Sequence, residues 1–358
     1  MIRTVARFEI GYSRCLDPEG RQVAPLPAGA SNPGALLALY RALIRTRCFD
    51  AKAIALQRTG RLGTYASSLG QEAVSVGAAS AMRAEDVLLP SFREHGAQLW
   101  RGVTPLELFF YWAGDERGSD FSGPRQDFPN CVPVGSHGPH AVGVGLAFKL
   151  RREPRVAVCI FGDGATSKGD VYEAVNVAGV WRLPVVFVIS NNQWAISVPR
   201  QAQTAAETLA QKAIAAGIPG EQVDGNDVVA VHGAVAAAVE HARSGGGPHL
   251  LEALTYRLGD HTTSDDASRY REDAEVSRHW PEEPLLRLRA YLTAAGHWSK
   301  EAEKHLMSEV AAEIDAAVDH YLATPPQDPA TIFDYAFARL PDDLAEQRAA
   351  ALAGLSKG

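Results

Sequence analysis

The chain has 358 residues, of which 46% are hydrophobic and 22% charged, and its formal net charge at pH 7 is -7. This length allows one large domain or two of ordinary size, and the composition is ordinary for an enzyme with a packed core. The acidic balance and the lack of a basic stripe argue against a nucleic-acid partner, because phosphate binding needs clustered Lys and Arg.

The cysteines and the apolar runs bear on the cellular compartment. The four cysteines (Cys15, Cys48, Cys131 and Cys159) are scattered and form no Cys-x-x-Cys pair. This spacing disfavours a zinc site or a disulfide framework and favours a reducing compartment. The first residues lack the apolar core of a signal peptide, and no apolar run reaches membrane-spanning length. We therefore expect a bacterial-type cytoplasmic protein without a membrane anchor.

The N-terminal part of the sequence predicts an arm followed by helices. Residues 1–33 are rich in Pro and Gly and predict an extended arm. From residue 34, apolar residues recur at steps of three and four, which predicts a long helix. A short strand followed by a loop is predicted for DVLLPSFREHG, and an irregular Gly/Pro loop for FPNCVPVGSHGPH. Further helices are predicted for GQEAVSVGAASAM, PLELFFYWAG and AVGVGLAFKLRR.

The middle of the sequence alternates between strands and helices. Short apolar, β-branched runs, typical of buried parallel strands, occur at RVAVCIF and LPVVFVIS, with the helix SKGDVYEAVNVAGVW between them. A further strand–helix–strand unit runs from EQVDG to HLLEALTYR. This alternation predicts an α/β fold with a mostly parallel sheet flanked by helices.

The C-terminal part is predicted to be helical again. An amphipathic helix begins after Ser299, the predicted N-cap, and the segment TPPQDP separates it from a final short helix. We therefore divide the chain into an N-terminal arm (1–33), an α/β domain (34–280) and a C-terminal helical extension (281–358).

Polar residues follow two neighbouring predicted strands. Asp163 lies in the turn GDGATSKG after the first strand, and Asn192 follows the next strand, one βαβ unit later. A right-handed crossover brings the carboxyl ends of such strands to one edge of the sheet, so we expect the two side chains to converge. Gly162 and Gly164 allow a bulky ligand to approach, and the following helix offers free N–H groups to a phosphate. Oxygen ligands beside a phosphate seat predict a Mg²⁺-diphosphate site.

Other interpretations of this motif stay open. A Gly-Asp-Gly turn alone is most often only a turn. The stretch lacks the GxGxxG spacing of a dinucleotide-binding loop, and the chain has no GxxxxGK[ST] motif. A nicotinamide dehydrogenase on a Rossmann sheet is therefore a weaker hypothesis, and a diphosphate-binding scaffold without enzymatic activity is another.

Several segments, in order over about residues 34 to 345, resemble one family closely. They are SFREHGAQLWRG, FGDGATSKGDVYEAVNVAGVW, NNQWAISVPR, QVDGNDVVAV and LLEALTYRLGDHTTSDDASRYR. The family is the alpha subunit of the decarboxylating first component of 2-oxo acid dehydrogenase complexes, of the pyruvate or branched-chain type. The resemblance implies a thiamine-diphosphate-binding fold, with thiamine diphosphate and Mg²⁺ as cofactors.

The resemblance also implies roles for individual residues around the cation and the diphosphate. Asp163, the Asn192 side chain and the backbone carbonyl of Trp194 would bind Mg²⁺. The backbone of Gly164 and Ala165 would contact the diphosphate.

Three further residues and one departure complete the implied cofactor site. Arg93 would contact the diphosphate through a charge-assisted hydrogen bond. Val132 and Val134 would support the aminopyrimidine and the bent cofactor conformation. The family usually has Tyr where this chain has Phe92, so a hydroxyl to the phosphate is missing. We expect weaker cofactor binding, or a water in place of the hydroxyl.

The polar loop GDHTTSDDASRYR follows the last predicted strand. By its residues alone, His261 is a solvated surface group, but the resemblance implies that it is the active-site histidine, suited to proton transfer or orientation during reductive acylation. Thr262 stands where mitochondrial relatives carry a phosphorylated serine, which gives that regulation no support here. Four polar residues would hold the loop by local hydrogen bonds: Asp265, Asp266, Ser268 and Arg271. For His95, His137 and His140, structural roles and substrate contact both stay open.

The resemblance further implies partners. Thiamine chemistry needs a carboxylate beside the aminopyrimidine, and in this family a separate beta subunit supplies that glutamate. We therefore expect an α2β2 heterotetramer, inactive as the isolated chain, that passes the acyl group to the lipoyl-bearing acyltransferase core. Its contact surfaces could include GQEAVSVGAASA, AVGVGLA and VNVAGVW, although ordinary core packing explains each as well.

The substrate implied by the family is a small 2-oxo acid. The segments TSDDASRYR and NNQWAISVPR favour the branched-chain type, whereas AQLWRGVTPLELFFYWAGDERGSDF favours bacterial pyruvate enzymes. We slightly favour pyruvate dehydrogenase over the branched-chain enzyme, because this last segment lies near the expected entrance to the site.

Overall fold

The computed structural model describes residues 2–355, so Met1 and residues 356–358 of the predicted arm and extension lie outside the described part. The strands are β1 (Tyr12–Ser13), β2 (Val87–Leu89), β3 (Ala157–Gly162), β4 (Val185–Asn191), β5 (Trp194–Ala195), β6 (Val198–Pro199), β7 (Gly220–Asp224) and β8 (His249–Leu254). The first helices are α1 (Pro33–Arg58), α2 (Glu72–Ser80), α3 (His95–Trp100), α4 (Pro105–Ala113), α5 (His137–Arg151) and α6 (Gly169–Val180). The others are α7 (Arg200–Gln203), α8 (Lys212–Ala215), α9 (Val228–Arg243), α10 (Asp273–His279), α11 (Pro284–Ala294), α12 (Lys300–Ala323) and α13 (Asp342–Leu355).

Six of these strands form one parallel sheet in the order β1-β7-β8-β4-β3-β2. Its central strands β3 and β4 are almost wholly buried and apolar, because helices cover both faces. Alternate residues of β3 point to opposite faces: Cys159 and Phe161 contact the cluster of α5 and α6, and Val158 and Ile160 that of α2 and α9. The predicted parallel α/β fold is confirmed.

A separate hydrophobic cluster joins the arm to the helical ends of the chain. It contains Leu16 of the arm, Leu43 of α1, Leu288 of α11 and Val310 of α12. The Tyr40 hydroxyl of α1 donates to the Glu303 carboxylate of α12 at 2.8 Å. The three-part division of the chain stays a prediction, since the arm and the extension share this core with the helices of the α/β domain.

Two local predictions differ from the structure. α3 takes up the last two residues of the loop predicted after the first strand and continues beyond it; it was not predicted, because six residues make fewer than two helical turns and are too short to show an apolar period. α5 begins inside the predicted Gly/Pro loop. The predicted N-cap of α12 is confirmed, with the Ser299 hydroxyl accepting from the Ala302 N–H at 3.1 Å.

The three candidate contact surfaces differ in how far the structure buries them. α2 is buried and packs on α9, where a Cβ on Gly77 would lie 2.7 Å from a methyl of Val231, so its small residues serve core packing. By contrast, α6 and the residue after it leave Tyr172, Val180 and Trp181 exposed. Leu150 of α5 is exposed as well. None of the helices within residues 2–355 combines the length and apolar character needed to cross a membrane.

Candidate functional site

The carboxyl ends of β3 and β4 open into a cavity of about 240 Å³. It is lined by every predicted site residue except Val132, namely Phe92, Arg93, Val134, Asp163, Gly164, Ala165, Asn192, Trp194 and His261. Val132 lies in the adjoining loop with 57% of its surface exposed. The structure thus brings together residues from distant parts of the chain, while their individual roles stay predictions.

Asp163 begins a 3₁₀ turn, Asp163–Ser167, directly after β3. Only 1% of the residue is exposed, and burial raises the pKa of its carboxyl above the ordinary value. Its Oδ2 accepts a hydrogen bond from Gln203 Nε2 at 2.7 Å. At the next position, a Cβ on Gly164 would lie 2.7 Å from the Cβ of Ala195, so the turn fits tightly against β5. The 3₁₀ turn lies between Asp163 and the start of α6, so the N–H groups nearest to Asp163 belong to this turn and not to α6.

Asn192 follows β4, and its carboxamide is held from two sides. Its Nδ2 donates to Gln71 Oε1 at 2.8 Å, and its Oδ1 accepts from the Trp194 N–H at 3.2 Å. The Trp194 carbonyl accepts from Arg257 Nη1 at 3.0 Å, which leaves one lone pair for another partner. Gln193 lies between these residues with a φ of 74°, in the left-handed region that is uncommon for non-glycine residues.

Arg93 connects the cavity wall to the loop of His261. Its Nη1 donates to the Ser67 carbonyl at 2.6 Å, and its Nη2 to the carbonyl and Nδ1 of His261 at 2.6 and 2.9 Å. Burial and the nearby Arg257 lower the pKa of Arg93 to about 10, so it stays charged at neutral pH. An arginine can only donate, so Nδ1 of His261 is an acceptor and the proton of the neutral ring lies on Nε2.

The His261 loop is ordered by its own polar residues, as predicted. Asp265 Oδ2 accepts from the His261 N–H at 2.9 Å, and Ser268 Oγ donates to Asp266 at 2.6 Å. Arg271 donates to the backbone carbonyl of Gly259 at 2.9 Å. Burial, then the charges of Arg93 and Arg257, lower the pKa of His261 to about 4, so the ring is neutral at physiological pH.

The lowered pKa of His261 predicts a pH dependence of stability. The unfolded chain binds a proton at this histidine below about pH 6.5, whereas the folded protein does so only near pH 4. The unfolded state therefore binds more protons in this window, and the folded protein loses stability as pH falls from 6.5 towards 4. We expect His261→Gln to lose less stability than wild type between pH 7 and 5, measured by urea unfolding. Parallel curves for the two proteins would contradict this expectation.

Phe92 lines the cavity beside His261 and Arg93. Its ring meets the imidazole of His261 edge-on at 6.0 Å, and the guanidinium of Arg93 lies 5.3 Å from its centre. The ring carries no hydroxyl, so the polar contact that a tyrosine would make at this position is absent.

The donor set fits a hard cation better than a zinc ion. Within residues 2–355 there is no group of three or more His, Cys, Asp or Glu side chains that could hold a metal. Asp163, Asn192 and Trp194, which the resemblance implies as oxygen ligands, all line the cavity. Mg²⁺ accepts such a sparse protein set, because phosphate and water oxygens complete its octahedron. Arg93 supplies a positive charge at the same cavity for an anionic ligand.

Sequence reasoning missed several residues of the cavity wall. Gln71 and Glu94 line the cavity, and burial raises the pKa of Glu94 to about 7. Ser91 Oγ donates to Glu94 at 2.6 Å. Gln203 contacts Asp163 from the short helix α7, and Arg257 contacts the Trp194 carbonyl from the loop after β8. The one signal in the sequence was the polar pair that begins the otherwise apolar helix GQEAVSVGAASAM.

The three undecided histidines now have places. His95 is buried away from the cavity and accepts a hydrogen bond from Trp112 Nε1 at 3.0 Å, which makes it structural. His137 lines the cavity with its Nε2 bonded to the Ile160 carbonyl at 2.8 Å, so it also supports the strand end. His140 is exposed.

Comparisons with known proteins agree with this geometry. Residues 40–330 match the family model described as dehydrogenase E1 component. The 3-methyl-2-oxobutanoate dehydrogenase subunit alpha of Mycobacterium tuberculosis is 43% identical over 317 residues, 87% of this chain and 84% of the relative. The pyruvate dehydrogenase E1 component subunit alpha of Staphylococcus epidermidis is 38% identical over 345 residues, which are 96% of this chain and 93% of the relative. The pyruvate dehydrogenase E1 component subunit alpha of Acholeplasma laidlawii is 42% identical over 316 residues, which are 87% of this chain and 91% of the relative.

Proposed function

Since this chain belongs to the dehydrogenase E1 component family, among its alpha subunits, we propose that it acts with a beta subunit in the oxidative decarboxylation of a small 2-oxo acid. The acyl group then passes to the lipoyl group of an acyltransferase core, whose disulfide is the electron acceptor. One observation carries the proposal: oxygen ligands, a buried arginine and a neutral histidine meet in one cavity at the carboxyl ends of β3 and β4.

The part of the cavity lined by Asp163, Asn192 and Trp194 is the proposed place of the Mg²⁺-diphosphate group. Asp163 and Asn192 would supply side-chain oxygens to the cation, and the Trp194 carbonyl a third. Arg93, charged and buried, would donate to the diphosphate, as would the N–H groups of the turn at Gly164. Arg93 is held by the carbonyls of Ser67 and His261, so little side-chain freedom remains to be lost when an anion binds.

His261 would act at the reacting end of the same cavity. When bound, thiamine diphosphate supplies the carbon chemistry that takes up and releases the acyl group. The protein must provide a polar group that can exchange a proton or orient the acyl acceptor. A neutral imidazole with its proton on Nε2 suits this role, and the hydrogen bonds from Arg93 to His261 hold the ring in place.

The beta subunit would complete the active site. Two carboxylates of the described chain line the cavity: Asp163 at the cation, and Glu94, which accepts from the Ser91 hydroxyl beside the arginine proposed for the diphosphate. Val134, proposed to support the aminopyrimidine, is 46% exposed, so a partner can cover that end. A partner that covers Val134 could supply the missing carboxylate, which supports an α2β2 heterotetramer.

The preferred substrate is to be decided by comparing two 2-oxo acids. The relatives include both a 3-methyl-2-oxobutanoate dehydrogenase and pyruvate dehydrogenases, and we propose pyruvate as slightly preferred. The test is the overall reaction of the reconstituted alpha–beta pair with its acyltransferase and each 2-oxo acid. Higher kcat/KM for pyruvate supports the proposal, and higher kcat/KM for 3-methyl-2-oxobutanoate assigns the branched-chain alternative.

The same preparation tests the wider alternatives. Full activity of the isolated alpha chain would contradict the need for a beta subunit. Binding of NAD to the alpha chain alone would favour a nicotinamide dehydrogenase. Binding of thiamine diphosphate by the pair without decarboxylation of any 2-oxo acid would favour a scaffold.

Phe92→Tyr is expected to strengthen cofactor binding. The new hydroxyl would restore the phosphate contact that the family usually has, and one net hydrogen bond corresponds to about a three- to tenfold lower Kd for thiamine diphosphate. Calorimetric titration of the alpha–beta pair at fixed Mg²⁺ measures the change. Phe92→Leu serves as the control without a hydroxyl. An unchanged or higher Kd for the tyrosine variant would show that the hydroxyl does not reach the phosphate.

A further inference from the structure

Gln71 contacts the proposed cation ligand Asn192 through its side-chain carboxamide. It precedes α2, is 5% exposed and lines the cavity. Its Oε1 accepts from Asn192 Nδ2 at 2.8 Å and lies 3.5 Å from the Ser190 hydroxyl. No other described side chain shares a hydrogen bond with the Asn192 carboxamide, so Gln71 has a direct hold on its orientation.

The hydrogen bonds fix which atom of each carboxamide faces which partner. Asn192 Oδ1 accepts from the Trp194 N–H, so Asn192 presents Nδ2 to Gln71. Gln71 must therefore present its oxygen, and its own Nε2 is buried without a hydrogen-bond partner. Buried donors without partners are rare and unfavourable. The Gln71 side chain is thus held in the orientation that accepts a hydrogen bond from Asn192, although its own Nε2 then has no partner.

The segment that carries Gln71 is anchored tightly. Gly70 has a φ of 89°, and a Cβ there would lie 2.5 Å from the Tyr256 carbonyl. Its N–H donates to Glu72 Oε2 at 3.0 Å, and the buried Glu72 carboxylate pairs with Arg47 of α1. A glutamine on such a support has little freedom to follow Asn192 if that side chain turns over.

We propose that Gln71 is a positioning residue of the cation site, which keeps Oδ1 of Asn192 turned towards the cation. Without it, the carboxamide can turn over and present its NH₂ group, which repels a cation. This inference rests on the proposed function, because it assigns Gln71 a role at the same Mg²⁺-diphosphate site.

The test is the Mg²⁺ concentration that gives half-maximal binding of thiamine diphosphate to the reconstituted alpha–beta pair. Gln71→Met keeps the length of the side chain and removes its acceptor. We expect this variant to need about tenfold more Mg²⁺, the size of one lost hydrogen bond. Gln98→Met is the matched control: Gln98 is also buried and its amide unpartnered, but it does not line the cavity.

A double-mutant cycle separates positioning from a merely structural role. An aspartate at position 192 offers an oxygen in either orientation, so Gln71→Met in the Asn192→Asp background is expected to change the Mg²⁺ requirement by less than about twofold. A similar loss in both backgrounds would overturn the proposal, as would an unchanged requirement for Gln71→Met alone.

Two further outcomes keep this test distinct from that of the proposed function. If Gln71→Met does not assemble, Gln71→Asn withdraws the carboxamide by one methylene and is expected to raise the Mg²⁺ requirement in the same way. An unchanged requirement in Gln71→Asn would then overturn the proposal. If the wild-type pair itself binds no thiamine diphosphate with Mg²⁺, the proposed function fails, and the inference falls with it. If the wild-type pair binds and the Gln71 variants match it, only the inference fails.

Discussion

Asp163→Ala is expected to abolish Mg²⁺-dependent binding of thiamine diphosphate in the alpha–beta pair. The variant removes the only carboxylate at the proposed cation position among the described residues lining the cavity, since Glu94 is engaged by Ser91. Loss of partners that merely support metal ligands typically costs about 10- to 100-fold in affinity, so we expect loss of the ligand itself to exceed that range. Calorimetric titration of cofactor at saturating Mg²⁺ measures the effect.

The fold is expected to survive this substitution. Burial raises the pKa of the Asp163 carboxyl, which means that its charged form is destabilised where it lies and that removing it deprives the fold of no stabilising charge. Its one side-chain partner, Gln203, is only partly buried and can turn to solvent. The melting temperature of the cofactor-free pair should therefore match wild type. Asp120→Ala, at an exposed carboxylate, is the control, and cofactor affinity retained in Asp163→Ala would remove this residue from the site.

His261→Gln is expected to lower kcat of the overall reaction by at least about 100-fold, the lower bound for loss of a positioned proton-transfer group. Cofactor affinity should change far less. Arg93 still donates to the backbone carbonyl of residue 261 and to the Ser67 carbonyl, so the proposed diphosphate donor keeps its place. Initial rates at saturating 2-oxo acid and lipoyl protein, combined with calorimetric Kd values, separate the two effects.

The control for His261 is the exposed His140. His140→Gln should leave both kcat and the Kd for thiamine diphosphate unchanged. A fall in cofactor affinity as large as the fall in kcat would instead assign His261 a binding role. An unchanged kcat in His261→Gln would take the residue out of the chemistry altogether.

The parts of the site carried by contiguous sequence could be predicted well. Asp163 and Asn192 each follow a strand that is almost wholly apolar, and parallel strands must end at one edge, so their meeting follows from local pattern and chain geometry. The order of the sheet adds only one requirement, that β3 and β4 are neighbours.

Contacts between distant segments could not be predicted from the sequence. Gln71 reaches Asn192 across 121 residues and Arg93 reaches His261 across 168, and neither pair has a local pattern that would announce it. Gln203 lies on a four-residue helix, too short for periodicity. The α3 helix and the early start of α5 were missed for the same reason, because their first turns lack an apolar period.

The pairing of β1 with β7 has a consequence for the order in which this protein folds. Asp227, at the start of α9, accepts from the N–H groups of Cys15 and Leu16 at 2.7 and 2.6 Å, a contact that spans more than 200 residues. The unit β7–α9–β8 is contiguous in sequence and needs no such long closure. During synthesis, therefore, the segment around Cys15 and Leu16 waits unpaired until residue 227 has followed it. Its docking comes late and closes the edge of the sheet.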